Sequence, residues 1–170
     1  VKINLGSGNQ RLKGFYNIDQ YPYPKVDKVY DLNKGIPLKD NSVDEIYTSY
    51  FLHYIKDLYF FIHEMYRVCK NGAKIIIIES HFTSPPSDIE TNKWRYNAMN
   101  YFDYYNKDAK LVRKNFFIFK KRELIFGGVY KVFGFLKHFP NLYENSFLRS
   151  IIFCSSVKLE LEVVKDEHTK

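Results

Sequence analysis

Two glycines, Gly6 and Gly8, follow directly on the apolar run Val1, Ile3, Leu5, and a second short run, Phe15, Tyr16, Ile18, ends on Asp19. Glycines just after a buried strand let the backbone come close to a ligand. A carboxylate at the tip of the neighbouring strand can accept both hydroxyl protons of a ribose. The order strand, glycine turn, strand, carboxylate therefore points to a nucleoside-containing ligand, although a lone G-x-G is also what an ordinary turn looks like. A third segment, Val26 to Asp31, alternates as a short strand and again ends on an acid. Exposed strand ends are often acidic, so one aspartate carries little. Two in succession, Asp19 and Asp31, stand where an open parallel sheet binds its ligands, outside the carboxyl ends of its strands. No His, Cys and Asp grouping has metal-ligand spacing, so no metal is expected. Cys69 and Cys154 are far apart with no C-x-x-C, which reads as two buried or half-buried thiols in a reducing compartment.

The elements that must position these groups follow from the apolar pattern. Pro22 and Pro24 enforce an extended connection after Asp19. Residues 33–42, with Gly35, Pro37 and Asp40-Asn41-Ser42, read as loop, and Val43 to Ser49 as a strand. From about Asp57 to Lys70, Leu58, Phe61, Ile62, Met65 and Val68 recur at helical spacing, with Asp57 as N-cap and Asn71-Gly72 as the stop. Ala73 to Glu79 carries four consecutive isoleucines and reads as a strand covered on both faces. Strands with a crossover helix between them predict an α/β, Rossmann-like, doubly wound sheet that is mostly parallel, with helices on both faces. In the second half, 83–87 reads as loop, 91–106 as partly helical, and 116–126 and 156–164 as strands, the last strictly alternating. Residues 127–153 interleave Val132, Phe133, Phe135, Leu136 and Phe139 with Lys131, Lys137 and His138. Two readings stand for them: a helical cover over the sheet, or a surface that meets a lipid-linked substrate or membrane.

At 170 residues the chain is read as a single domain, with 1–80 as the ligand-binding half and 81–170 as the substrate-side half under an aromatic and basic cover. Its apolar runs are too short to span a bilayer, and no signal-peptide pattern opens it, so a cytoplasmic location is expected. The formal charge of +7 is scattered, with a denser basic stretch over 107–137. A solvated face explains that more simply than a nucleic-acid groove, because no nucleic-acid-binding motif accompanies it.

Over its first eighty residues or so, the chain resembles the class I S-adenosylmethionine-dependent methyltransferases of the compact type-11-like group. The resemblance rests on Leu5-Gly6-Ser7-Gly8-Asn9 for the glycine motif, Asn17-Ile18-Asp19 for the ribose acid and Asp31-Leu32-Asn33 for the adenine contact. It continues through residues 40–46 (DNSVDEI) and 66–73 (YRVCKNGA) into the isoleucine strand. The resemblance implies a seven-stranded sheet whose last strand is antiparallel, with S-adenosylmethionine as cofactor. Its methionine part would lie on Gly6, Ser7, Gly8 and Asn9, its ribose on Asp19, and its adenine beside Asp31 and Leu32.

There are departures. Only residues 9–14 separate the glycine turn from the next strand, too few for a regular crossover helix. Where the group often has S-H-x-x-E-H after the fourth strand, this chain has Ser49-Tyr50-Phe51-Leu52-His53-Tyr54. Ser49 and Tyr50 remain cofactor-side candidates, but the family's histidine roles do not carry over. Methyl transfer to oxygen needs a base. His81, just past the isoleucine strand, is the leading candidate against a purely structural role, and His53 ranks below it. The implied acceptor is a small molecule or a sugar or glycan, with an anionic or lipid-linked one among the candidates. Two other readings are a cofactor-binding regulatory protein without chemistry, and an NAD-binding oxidoreductase. The latter lacks the third glycine of its motif, since Arg11 stands there.

Overall fold

The short apolar segments become strands of one seven-stranded sheet in the order β3-β2-β1-β4-β5-β7-β6. The computed structural model describes residues 1–81 and 116–165. The strands are β1 (Lys2–Leu5), β2 (Tyr16–Asp19), β3 (Lys28–Val29), β4 (Val43–Ser49), β5 (Cys69–Ser80), β6 (Phe117–Ile125) and β7 (Ser156–Val163). β1 to β5 pair in parallel, and β7, the last strand, runs antiparallel to both of its neighbours. This is the α/β arrangement expected above, with its antiparallel last strand.

Register explains the core. Ile3, Ile46, Ile75 and Leu161 form one row across the sheet and Leu5, Thr48, Ile77 and Leu159 the next, all of them buried. Helix α1 (Leu58–Val68), capped by the Asp57 carboxylate on the Phe60 N–H, adds Leu58, Phe61, Ile62, Met65 and Val68 to the same cluster. On the opposite face the rows read Lys2, Glu45, Lys74, Glu162 and Asn4, Tyr47, Ile76, Glu160. Ion pairs Lys2–Glu45 (2.7 Å), Lys74–Glu160 (3.2 Å) and Lys120–Glu162 (2.8 Å) lace that face together.

The connection from β1 to β2 contains no helix; it is a compressed turn. Two buried asparagines on the strands do the work that a crossover helix would otherwise do by packing. Asn4 Nδ2 donates to Asn17 Oδ1 (2.9 Å) and to the Gln10 carbonyl (3.2 Å), and Leu12 N–H donates to Asn17 Oδ1 (3.0 Å). Asn17 Nδ2 in turn donates to Asp27 Oδ2 (2.9 Å), tying in the chain that follows β2. Buried amides persist only when so satisfied.

Three local expectations need correction. The helix ends at Val68, not Lys70, because Cys69 turns extended (φ −70°, ψ 145°) and pairs with Val43. Asn71-Gly72 is therefore not a helix stop but part of β5, where the β4–β5 register shifts between Val43 and Glu45. Of the 26–31 strand only Lys28 and Val29 pair, and Asp31 begins a 3-10 turn over Leu32–Lys34. The expected cover over 127–153 is a run of 3-10 turns (Gly128–His138), helix α2 (Pro140–Asn145) and a further turn (Phe147–Ser150). The loop expected at 83–87 and the helix at 91–106 lie outside the described residues. Among the described residues no helix is long and apolar enough to cross a membrane.

Candidate functional site

The ends of the parallel strands bring the predicted residues to one edge of the sheet. After β1 the chain turns at Gly6 (φ 64°) and Gly8 (φ 50°), both in the left-handed region that glycine occupies without penalty. At Gly6 a Cβ would stand 2.1 Å from the Phe51 ring, whereas at Gly8 it would meet nothing within 4 Å. Gly6 thus lets the chain pass Phe51, and Gly8 presents backbone to open space. The turn is bound to the next strand tip: Gly8 N–H donates to Asp19 Oδ2 (2.8 Å) and Ser7 N–H to the Ile18 carbonyl (3.1 Å). Tyr21 N–H donates to the other Asp19 oxygen (3.0 Å). A carboxylate has about four acceptor positions, so Asp19 keeps capacity beyond these two bonds. Ser7 Oγ is buried without a hydrogen-bond partner among the described residues. Asn9, just beyond, is exposed.

Asp31 caps the 3-10 turn: its Oδ1 accepts from Asn33 N–H (3.0 Å) and Asn33 Nδ2 (3.2 Å). Those bonds, the backbone one foremost, hold its carboxyl below the usual range. Leu32 beside it is buried in the core. Asn33 Oδ1 accepts from Lys56 N–H (2.9 Å), which ties this turn to the chain following β4.

At the end of β4, Ser49 is half-buried and Tyr50 is exposed in the left-handed region (φ 52°). Such a conformation costs a bulky residue about 1 kcal/mol or more and persists only when its surroundings impose it. Tyr50 N–H donates to the Ile78 carbonyl (2.8 Å), and its ring reaches over β5 to share a hydrogen bond with the Ser156 hydroxyl.

The residue that organises this loop is Glu79, which in the sequence is only the acid closing the isoleucine strand. Buried at the end of β5, its Oε1 accepts from the N–H groups of Phe51 (2.8 Å) and Leu52 (2.7 Å), and its Oε2 meets His53 Nδ1 (3.0 Å). One signal was available: an acid closing a strand of isoleucines is buried, and a buried acid needs partners. His53 is therefore placed against Glu79.

His81 is buried, with 4% exposure, and its Nε2 lies 3.0 Å from Glu144 Oε1 on α2. Arg122 of β6 binds the same carboxylate oxygen. Burial pushes the Glu144 carboxyl up, but the hydrogen bonds from His81 and Arg122 outweigh it, and the group sits below its ordinary value.

The residues fit the cofactor implied by the resemblance. The turn offers approachable backbone at Gly8 and an orphaned hydroxyl at Ser7, and Asp19 is locked to that turn with acceptor capacity left for a ribose. Ser7 and Gly8 tie the turn that begins at Gly6 to the end of β2 at Ile18 and Asp19, with Asn9 exposed just beyond. Asp31, Ser49, Tyr50 and His81 share its edge of the sheet, and His53 lies in the loop that Glu79 holds. Among the described residues, no group of three or more His, Cys, Asp or Glu could hold a metal ion.

Residues 18–77 match a family profile described as a methyltransferase domain, of the type-11 kind. The curated 2-phytyl-1,4-naphtoquinone methyltransferase of Nostoc punctiforme is 36% identical over 67 residues, 39% of this chain and 29% of that protein. The chain thus matches less than a third of the length of that relative. In three dimensions, a chain from the Haloferax volcanii complex between the Trm112 methyltransferase activator and a methyltransferase superposes with a TM-score of 0.61 at 14% identity, over 97% of this chain and 82% of that one. An S-adenosylmethionine-dependent methyltransferase from Aquifex aeolicus gives 0.58 at 15% identity, over 96% and 81%. At such identities the likeness is one of fold.

Proposed function

We propose that this protein, whose residues 18–77 match the type-11 methyltransferase-domain family and which shares the class I fold, binds S-adenosylmethionine and methylates an oxygen of a small-molecule or glycan acceptor. The observation that carries the reading is the bond from Gly8 N–H to Asp19 Oδ2, which locks a glycine turn and a carboxylate together beyond the ends of adjacent parallel strands. When bound, S-adenosylmethionine supplies a methyl group on a sulfonium, which departs as a neutral thioether. The turn Gly6 to Asn9 holds the amino-acid part, Asp19 the ribose hydroxyls, and Asp31 the adenine amino group. Transfer of this kind is an in-line displacement, so holding the partners in place supplies much of the acceleration.

His81 takes the proton from the acceptor hydroxyl as its oxygen gains the methyl. Its Nε2 lies 3.0 Å from Glu144 Oε1, so that carboxylate would stabilise the positive charge the ring gains before the proton passes to water. The deep burial of His81 favours a second reading, a cofactor-binding protein without chemistry.

Thermal shift with S-adenosylmethionine and with NAD tests the cofactor. Stabilisation by the former, lost in Asp19→Ala, is expected; stabilisation by NAD alone overturns the proposal. Turnover of methyl-labelled cofactor on a panel of hydroxylated acceptors, with His81→Ala alongside, then separates the two readings. Tight cofactor binding with no acceptor labelled supports the second.

A further inference from the structure

We infer that the β6–β7 connection is a docking surface for an anionic lipid bilayer. The segment leaves β6 at Ile125 and re-enters β7 at Ser156, so it stands on the same edge of the sheet as the glycine turn. It is anchored from beneath: Leu136, Tyr143 and Ile152 are buried, the Tyr143 hydroxyl donates to the Ile152 carbonyl, and Cys154 N–H donates to Tyr143 Oη (3.2 Å). On this anchored frame Val129 (80% exposed), Val132 (76%), Phe135, Phe139, Leu142 and Phe147 (73%) project into solvent. Single exposed apolar residues are ordinary, but six on one short connection mark an interaction surface.

Charge decides the occupant. Lys131, Lys137, His138 and Arg149 are exposed among these apolar residues. The one acid of the stretch, Glu144, is already taken by His81 and Arg122. Protein–protein interface cores are depleted in lysine, and a second copy would set this positive face against itself. Basic residues set among phenylalanine, valine and leucine match instead a surface with anionic headgroups above an acyl region. In conjunction with the methyl-transfer reading, on which this clause alone rests, the acceptor would be met at headgroup level.

The test is sedimentation of the full chain with vesicles of phosphatidylglycerol mixed with phosphatidylcholine, and with vesicles of phosphatidylcholine alone. The expected result is binding to the anionic vesicles that weakens as salt is raised. Lys131→Gln and Lys137→Gln should each lower the partition coefficient about fivefold, and Phe135→Ser should lower it in the same direction. These side chains are exposed, and an unchanged Tm and far-ultraviolet circular dichroism without cofactor report that each variant is folded. Absence of binding, equal binding to both vesicle types, or variants that bind like the parent overturn the inference. So does a dimer in light scattering that Phe135→Ser dissolves. Vesicle binding without any cofactor-induced shift overturns the methyl-transfer reading alone.

Discussion

Replacing Glu79 with alanine removes the acceptor for three donors at once: the N–H groups of Phe51 and Leu52 and the Nδ1 of His53. Each buried donor left unsatisfied costs roughly 1–3 kcal/mol, so the three together span about 3–9 kcal/mol. Water entering the vacated polar space recovers part of this, which brings the expectation to about 4 kcal/mol. That is a large share of the roughly 5–15 kcal/mol by which a domain is stable. For a chain of this size it lowers Tm by about 10 °C. Glu79→Gln keeps an oxygen for the two backbone donors and should cost only about 1–2 kcal/mol. Urea titration of the three proteins measures the differences, and a thermal-shift series with S-adenosylmethionine reports whether the loop that carries Tyr50 and Phe51 still supports binding. A Glu79→Ala midpoint within about 0.5 kcal/mol of the parent, the range of ordinary surface changes, would refute the assignment of this carboxylate as the organiser of the loop.

The two glycines of the turn should separate by mechanism. Gly6→Ala meets both a positive φ and the Phe51 ring and should cost about 2–4 kcal/mol in denaturant melts, while Gly8→Ala meets the backbone penalty alone, about 1 kcal/mol, and shows its larger effect on cofactor affinity. Equal stability losses at the two positions would contradict the packing described. Burial pushes the Cys69 thiol up to about 12 and the Cys154 thiol up to about 11. Both should therefore resist an aromatic disulfide reagent near pH 8 until the chain is unfolded, and native reaction at the rate of a free thiol would count against their burial. Glu144 and Glu64 are both held below the ordinary glutamate value of 4.5, Glu144 by His81 and Arg122 against the cost of its burial, Glu64 by Arg67. The stability they supply is complete above that value and is lost as pH falls through their lowered folded values. Acid titration followed by circular dichroism should show Glu144→Gln with a flatter decline below pH 4.5 than the parent.

What was legible in the sequence follows from how each signal arises. Alternation at 156–164 and the apolar run at 73–79 reflect burial of whole rows of the sheet, and the structure has strands at both. The helical stripe from Leu58 to Val68 reflects one buried face, and its Asp57 cap is a local signal, but its end is not set locally. Asn71-Gly72 looks like a stop, yet the pairing of Cys69 with Val43, a contact between distant residues, ends the helix first. The glycine turn and Asp19 were readable because backbone freedom and a strand-end carboxylate leave local marks. The partners of His53 and His81 were not, since Glu79 and Glu144 lie 26 and 63 residues away along the chain. The left-handed conformation of Tyr50 was equally hidden, because nothing in a tyrosine announces a positive φ.

The helix-free link between β1 and β2 has a consequence for how the molecule breathes. A crossover helix would shield the glycine turn beneath a packed layer; here Asn4, Asn17 and Asp27 hold it through a small set of hydrogen bonds, buried or part-buried, in place of that layer. Such a unit can open while the central strands stay closed, because few apolar contacts must be surrendered. Amide protons of residues 8–15 should then exchange through sub-global openings far cheaper than those that release β4 and β5. A ligand bridging Gly8 and Asp19 would close that opening and slow exchange there before anywhere else in the sheet.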